Sequence, residues 1–164
     1  MRHVMTAIVE NKPGVLASIV GLFSGRGYNI DSLSVNSTED PAQSRVTVFV
    51  EGDDGILEQV RKQLSKLIDV IKVQDFSREK YVQRETMLVK VHALPAKRTE
   101  IFHLTEMFGG KIVDISEDSL VIEVTGPEEK VVAFVEVARP YGIKEVARSG
   151  CIAMARTVKR SGTA

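Results

Sequence analysis

Tryptophan is absent, cysteine occurs once, at Cys151, and aromatic residues make up only 5% of the 164 positions. A single cysteine cannot close an intrachain disulfide, so the framework reads as intracellular. With so few rings, aromatic platforms for stacking single-stranded nucleic acid are not expected. An excess of one charge is missing too: 22 Lys plus Arg balance 22 Asp plus Glu, for a formal net charge of +0. Phosphate neutralisation has no global support here, and no nucleic-acid partner is expected. Balanced charge also leaves little electrostatic resistance to self-association. No stretch approaches the roughly 18 consecutive apolar residues of a spanning helix. The expectation is a soluble cytoplasmic chain with no membrane partner.

What is present is a regular alternation of periods. Val4, Ala7, Ile8 and Val9 form an apolar run of strand length, and Val15, Leu16, Ile19, Leu22 and Phe23 then recur at helical spacing. Gly25 and Gly27 stop that helix. Ile30, Leu33 and Val35 belong to a more polar strand, and Val46–Val50 to the clearest β-run in the chain. After the Gly52-Asp53-Asp54-Gly55 punctuation, Ile56, Leu57, Val60, Leu64, Leu67 and Ile68 give a second helical stripe, and Val70–Val73 closes the unit. The order is β-α-β-β-α-β.

The same order returns in the second half. Met87–Val91 is a strand, and Pro95 opens a helix with Ile101, Leu104, Met107 and Phe108 on one side. Lys111–Ile115 and Leu120–Val124 make a hairpin around Glu117-Asp118, Pro127 opens a helix carrying Val131, Val132, Phe134, Val135 and Ala138, and Ile143–Ala147 is the last strand. Each unit is a split βαβ, ferredoxin-like plan, with an antiparallel sheet and two helices on one face. The fold class is therefore α+β, two tandem ferredoxin-like domains. The expected boundaries are residues 1–76 for the first domain, a charged linker over 77–85, residues 86–155 for the second domain and a loose basic tail over 156–164. The sheets' bare faces and open edges invite dimerisation or docking.

Two turns stand out as a site. Asn11-Lys12-Pro13-Gly14 precedes the first helix, and Gly27-Tyr28-Asn29-Ile30 follows it. A glycine at a helix N-terminus lets a negative group reach bare backbone N–H groups without meeting a Cβ. The N–H groups of Gly14 and Val15 suit a carboxylate, the Asn11 and Asn29 carboxamides offer donors and acceptors, and Val15, Leu16 and Ile30 offer apolar lining. The two turns contain no obvious nucleophile, acid or metal ligand, so the pattern suits holding a small anion or zwitterion rather than transforming one. Asn29 lies roughly 18 Å or more from Gly14 by helix rise alone. The two ends meet only if a second protomer contributes one of them.

Other candidates have plainer readings. His3, His92 and His103 lack metal-ligand spacing. The pairs Glu39-Asp40, Asp53-Asp54, Glu117-Asp118 and Glu128-Glu129 fall in loops or helix starts, where solvated or dipole-matched carboxylates belong. Ser149 has neither a nucleophile elbow nor a nearby base. Arg139, Arg148, Arg156, Lys159 and Arg160 gather positive charge late in the chain, either as solvated surface or as a dock for an acidic partner.

The residues Asn11–Leu16, Leu22-Phe23 and Gly27–Leu33 resemble the ACT domain, and more closely the small regulatory subunit of acetohydroxyacid synthase (acetolactate synthase). The resemblance extends through Asp40-Pro41, Ser44-Arg45, Leu57–Gln59, Gln63-Leu64 and Lys66-Leu67, and resumes at Arg84-Glu85, Met87–Lys90 and Glu145–Gly150. It implies an ACT domain followed by an ACT-like domain in a noncatalytic subunit. Such a subunit stimulates a large catalytic subunit and confers feedback inhibition by valine, sometimes by leucine or isoleucine. The effector would bind between the N-terminal ACT domains of a homodimer, on Asn11, Gly14, Val15, Leu16, Asn29 and Ile30. No metal or cofactor is expected in this chain; thiamine diphosphate, Mg2+ and FAD would belong to the catalytic subunit. Two rivals share the fold. An acylphosphatase-like enzyme would need an Arg where this loop has Lys12, and a double-ACT accessory protein for transcription control would differ only in its partner.

Overall fold

The computed structural model describes residues 2–25, 27–76 and 79–157. The chain divides into two compact units, one of Met1–Val82 with Ile152–Ala164 and the other of Gln83–Cys151. Both have the ferredoxin-like plan.

In the first unit the order is β1 (Arg2–Glu10), α1 (Val15–Ser24), β2 (Ile30–Ser37), β3 (Gln43–Glu51), α2 (Asp54–Leu64) and β4 (Val70–Asp75). The strands form one antiparallel sheet in the order β2-β3-β1-β4, so β2 and β4 are its edges. Alternation turns Met5, Ala7, Val9, Val46, Val48 and Val50 toward the helices, where they pack with Val15, Ile19 and Phe23 of α1 and Leu57, Val60 and Leu64 of α2. Burying a side chain of this size contributes roughly 1.5–3 kcal/mol. The opposite sheet face does not stay open as expected: Val4, Thr6, Thr47 and Phe49 are buried as well.

The second unit contains most of β5 (Tyr81–His92), a 3-10 turn Pro95–Lys97, α3 (Arg98–Met107), β6 (Lys111–Ile115), β7 (Ser119–Gly126), α4 (Glu128–Ala138) and β8 (Ile143–Arg148). Its strand order is β6-β7-β5-β8. Met87, Val89, Val91, Leu120, Ile122 and Val124 meet Ile101 and Leu104 of α3 and Val131, Phe134 and Ala138 of α4. Phe108 and Phe134 stack edge to face with centroids 5.3 Å apart.

Several expectations change in detail. Ile68 and Met107, assigned to helical stripes, are 97% and 82% exposed. Ile68 lies beyond the end of α2, and Met107 closes α3 on its solvent side. The side chain of Ile56 is not among those described. Tyr81–Glu85, assigned to the linker, is the start of β5, because its alternation buries Glu85 while Val82 and Arg84 face outward. Ser77 and Arg78 lie outside the described residues. A further strand, β9 (Ile152–Ala155), pairs with β5. Arg156, assigned to a loose tail, donates its N–H to Lys80 O at 2.9 Å and its Nε to Tyr81 O at 3.3 Å. Residues 158–164 lie outside the described set.

Candidate functional site

The turn between β1 and α1 is held by backbone bonds, one of them to the loop before β3. Lys12 N–H donates to Glu10 O at 3.0 Å, Asn11 N–H to Ala42 O at 2.8 Å, and Ser18 N–H to Gly14 O at 2.9 Å. Gly14 is the residue before the helix, at φ 89° and ψ −19°, in the left-handed region that disfavours any side chain. A Cβ built there would meet nothing within 4 Å, so the space over the helix end is open. No side chain caps α1, and its first turn has no acidic residue. The first N–H groups of a helix lack intrahelical acceptors, and its dipole end is positive. This end of α1 is thus set to receive an anion. The nearest cation, Lys12, pairs with Glu10 on the surface. Its hydrogen bond, and then its charge, hold the Glu10 carboxyl below the usual range, and Glu10 raises Lys12 in turn.

Of the expected site residues, Asn11, Gly14, Val15 and Leu16 lie together at this turn. Their roles are not equal. Val15 is a buried core residue, so it offers backbone rather than lining, whereas Leu16 is 42% exposed. Val15 N–H also sits 3.4 Å from Lys12 O, a long and weak bond. Asn11 Nδ2 donates to Pro41 O at 2.9 Å, which leaves Oδ1 as the carboxamide's available acceptor.

Asn29 and Ile30 lie elsewhere. Gly27, at φ 70°, turns the chain out of α1, and Tyr28 N–H bonds back to Phe23 O at 3.1 Å. Asn29 Nδ2 donates to Asp31 Oδ1 at 2.9 Å, again leaving an oxygen exposed. Ile30 pairs with Val50, whereas Asn11 stands beside Ala42, just before Gln43 starts β3. From Gln43 to Val50 a strand runs roughly 24 Å at about 3.4 Å per residue. Within one chain the two halves of the expected site sit at opposite ends of the sheet.

Sequence reasoning missed the support of the Asn11 turn by the loop between β2 and β3. Asp40 Oδ1 accepts from Ala42 N–H at 2.9 Å, Asp40 Oδ2 from Gln43 Nε2 at 3.0 Å, and Asp40 O from Gln43 N–H at 2.9 Å. Asp-Pro is a turn-initiating pair, which was the available signal.

A sequence model described as the AHAS small subunit-like ACT domain matches residues 5–72, and one described as the small subunit of acetolactate synthase matches residues 84–157. The "Probable acetolactate synthase small subunit" of Archaeoglobus fulgidus is 55% identical over 160 residues, covering 98% of this chain and 100% of its own length. The chain belongs to the acetolactate synthase small-subunit family. Another relative, the acetolactate synthase small subunit of Bacillus subtilis, is 46% identical and covers 99% of this chain and 95% of its own. The crystal structure of the acetolactate synthase small subunit from Thermotoga maritima is 41% identical, covers 96% of this chain and 99% of that one, and superposes with a TM-score of 0.89.

Several other polar residues singled out from the sequence of this small-subunit-family chain are engaged by its own fold. Arg148 makes a two-pronged bond to buried Glu85, with both contacts at 2.6 Å, and Arg139 pairs with Glu136. Lys159 and Arg160 lie outside the described residues. Ser149 Oγ accepts Thr86 N–H at 3.1 Å, and His3 Nε2 lies 3.1 Å from Gly52 O. Among the described residues no group of three or more His, Cys, Asp or Glu is placed to hold a metal ion, and no helix is long and apolar enough to cross a membrane.

Proposed function

We propose that this chain is the noncatalytic regulatory subunit of acetolactate synthase, activating a thiamine-diphosphate catalytic subunit and making it subject to feedback inhibition by valine. The observation that carries the reading is the family match across both units, joined to an open, uncapped helix end at Gly14. The holoenzyme would condense pyruvate to acetolactate in the cytoplasm, with thiamine diphosphate, Mg2+ and FAD held by the catalytic subunit. This chain would supply regulation alone.

The effector site would form between the N-terminal ACT domains of a homodimer. The sheet register supports this. β2 is an edge strand, with Ile30 opposite Val50 at one end and Ser37 opposite Ser44 at the other. Antiparallel pairing of β2 with a second copy of itself brings the partner's start of β2 to this chain's end of β2, the end of the sheet that carries Asn11. Asn29 and Ile30 of one protomer then face Asn11, Gly14 and Leu16 of the other. The α1 end would take the effector's carboxylate, and the two free carboxamide oxygens its ammonium. Apolar contact with Leu16 and Ile30 would distinguish valine from leucine and isoleucine only weakly, since one methylene is worth about 1–3 kcal/mol.

Regulation follows from linkage. A catalytic subunit that favours one geometry of the regulatory dimer, and valine that favours another, oppose each other through a coupling of typically about 1–3 kcal/mol, and the coupling is reciprocal. The test is acetolactate formation by the cognate catalytic subunit, with and without this protein, across a valine titration. Stimulation that valine reverses is expected. Absence of both effects would contradict the reading and favour an amino-acid sensor acting on a transcription regulator.

A further inference from the structure

We propose that Asp40 is a positioning residue for the effector site, acting through Pro41 on the carboxamide of Asn11. The assignment rests on the regulatory reading above and extends it to a residue outside the helix-end motif.

The loop from Thr38 to Gln43 is organised around Asp40. Its carboxylate takes Ala42 N–H with one oxygen and Gln43 Nε2 with the other, at 2.9 and 3.0 Å. Its carbonyl takes Gln43 N–H at 2.9 Å and Thr38 Oγ1 at 3.1 Å, and its own N–H donates to Thr38 Oγ1 at 3.1 Å. This is a proline turn with an Asx bond laid across it. Asp40, Pro41 and Ala42 are all exposed, so the network secures no core. What it does fix is the direction of two successive carbonyls, Pro41 O and Ala42 O. Both are used by one residue, Asn11, through Nδ2 at 2.9 Å and N–H at 2.8 Å.

The chemical consequence concerns orientation. With Nδ2 held on Pro41 O, the Asn11 carboxamide cannot turn over, and its oxygen is the polar atom left for a ligand. An acceptor in that place suits the ammonium of an amino acid. Without the Asp40 carboxylate, Ala42 N–H and Gln43 Nε2 turn to water at little cost in stability, because they are already at the surface. Pro41 O is then held by the backbone turn alone and less firmly, and Asn11 presents either end of its amide more readily. Asp40 therefore acts on recognition while contributing little to the fold.

The experiment compares the full-length parent, D40A and D40N by calorimetric titration with valine, leucine and isoleucine, and by stimulation of the catalytic subunit. D40A is expected to weaken binding of the preferred amino acid by about tenfold, the effect of a lost oriented hydrogen bond. Its stimulation at saturating small subunit and its thermal midpoint stay at the parent's values. D40N keeps an oxygen for Ala42 N–H and can meet Gln43 once that amide turns over, so it binds within about twofold of the parent. Parent-like binding by D40A overturns the assignment while leaving the regulatory reading intact. So does D40N binding as weakly as D40A. A parent that binds none of the three amino acids contradicts the regulatory reading and removes the Asp40 role with it.

Discussion

The two units share a topology but finish the first helix of each in opposite ways. Neither helix start has a side-chain cap, but in the first unit α1 starts behind left-handed Gly14, with no acid in its first turn and empty space above. In the second, Pro95–Lys97 winds a 3-10 turn into α3, whose first turn carries Glu100, paired with Lys97 at 3.0 Å. Arg98 reaches back to Ala93 O, Ser116 O and Glu117 O, which ties this helix start to the hairpin tip. The turn after each helix differs as well. Gly27-Tyr28-Asn29 offers a carboxamide, whereas Gly109-Gly110 offers none, and a Cβ on Gly110 would come within 2.9 Å of Glu123 O. The same fold thus yields one receptive helix end and one that has its own carboxylate and guanidinium in place. The turns, and not the plan of the sheet, decide how each helix start is finished.

Closing the first helix end as the second is closed should have the largest effect. Gly14→Asp places a carboxylate where the effector's would lie and forces a side chain into φ 89°, so valine affinity should fall about a hundredfold. Stimulation of the catalytic subunit should persist, and titration calorimetry beside the acetolactate assay would separate the two. Unchanged valine affinity would show that the open helix end is not the site.

The next contrast concerns ion pairs. Glu85 is 4% exposed and depends on Arg148, whose side chain is 40% exposed. Arg148→Ala should cost about 2 kcal/mol by urea denaturation, less than the roughly 3–5 kcal/mol of a fully buried pair because the guanidinium already touches water. In the first unit the comparable pair, Glu58 with Arg61, lies in solvent. The Arg61 hydrogen bond lowers the Glu58 pKa from 4.5 to about 2. A depressed carboxylate stabilises the fold above its unfolded pKa, and that contribution disappears as pH falls from 4.5 toward about 2. Glu58→Gln should therefore lower the thermal midpoint only slightly at pH 7, and the gap should narrow between pH 5 and pH 3. A gap that widens on acidification would contradict this assignment.

Both β-α-β-β-α-β orders were legible because core residues repeat at the periods of their elements, Val15, Ile19 and Phe23 on a helix and Val46, Val48 and Val50 on a strand. The start of β5 was not legible, since Glu85 is buried by an arginine 63 positions away and reads as linker charge in isolation. The short strand β9 gave no period to follow. At the candidate site, glycine and asparagine singled out two turns, which the structure sets at opposite ends of one sheet. The Asp40-Pro41 pair signalled a turn, but its support of Asn11 was not legible, because it acts through backbone carbonyls, which every sequence carries.

The central claim is that one effector site is made by Asn11 of one protomer and Asn29 of another. It is tested most directly by complementation in the acetolactate assay. Asn11→Ala and Asn29→Ala should each yield dimers that stimulate the catalytic subunit but respond weakly to valine. After mixing and exchange, a mixed dimer carries both substitutions in one site and neither in the other, so valine sensitivity should return. Sensitivity that stays absent in exchanged dimers would contradict a shared site.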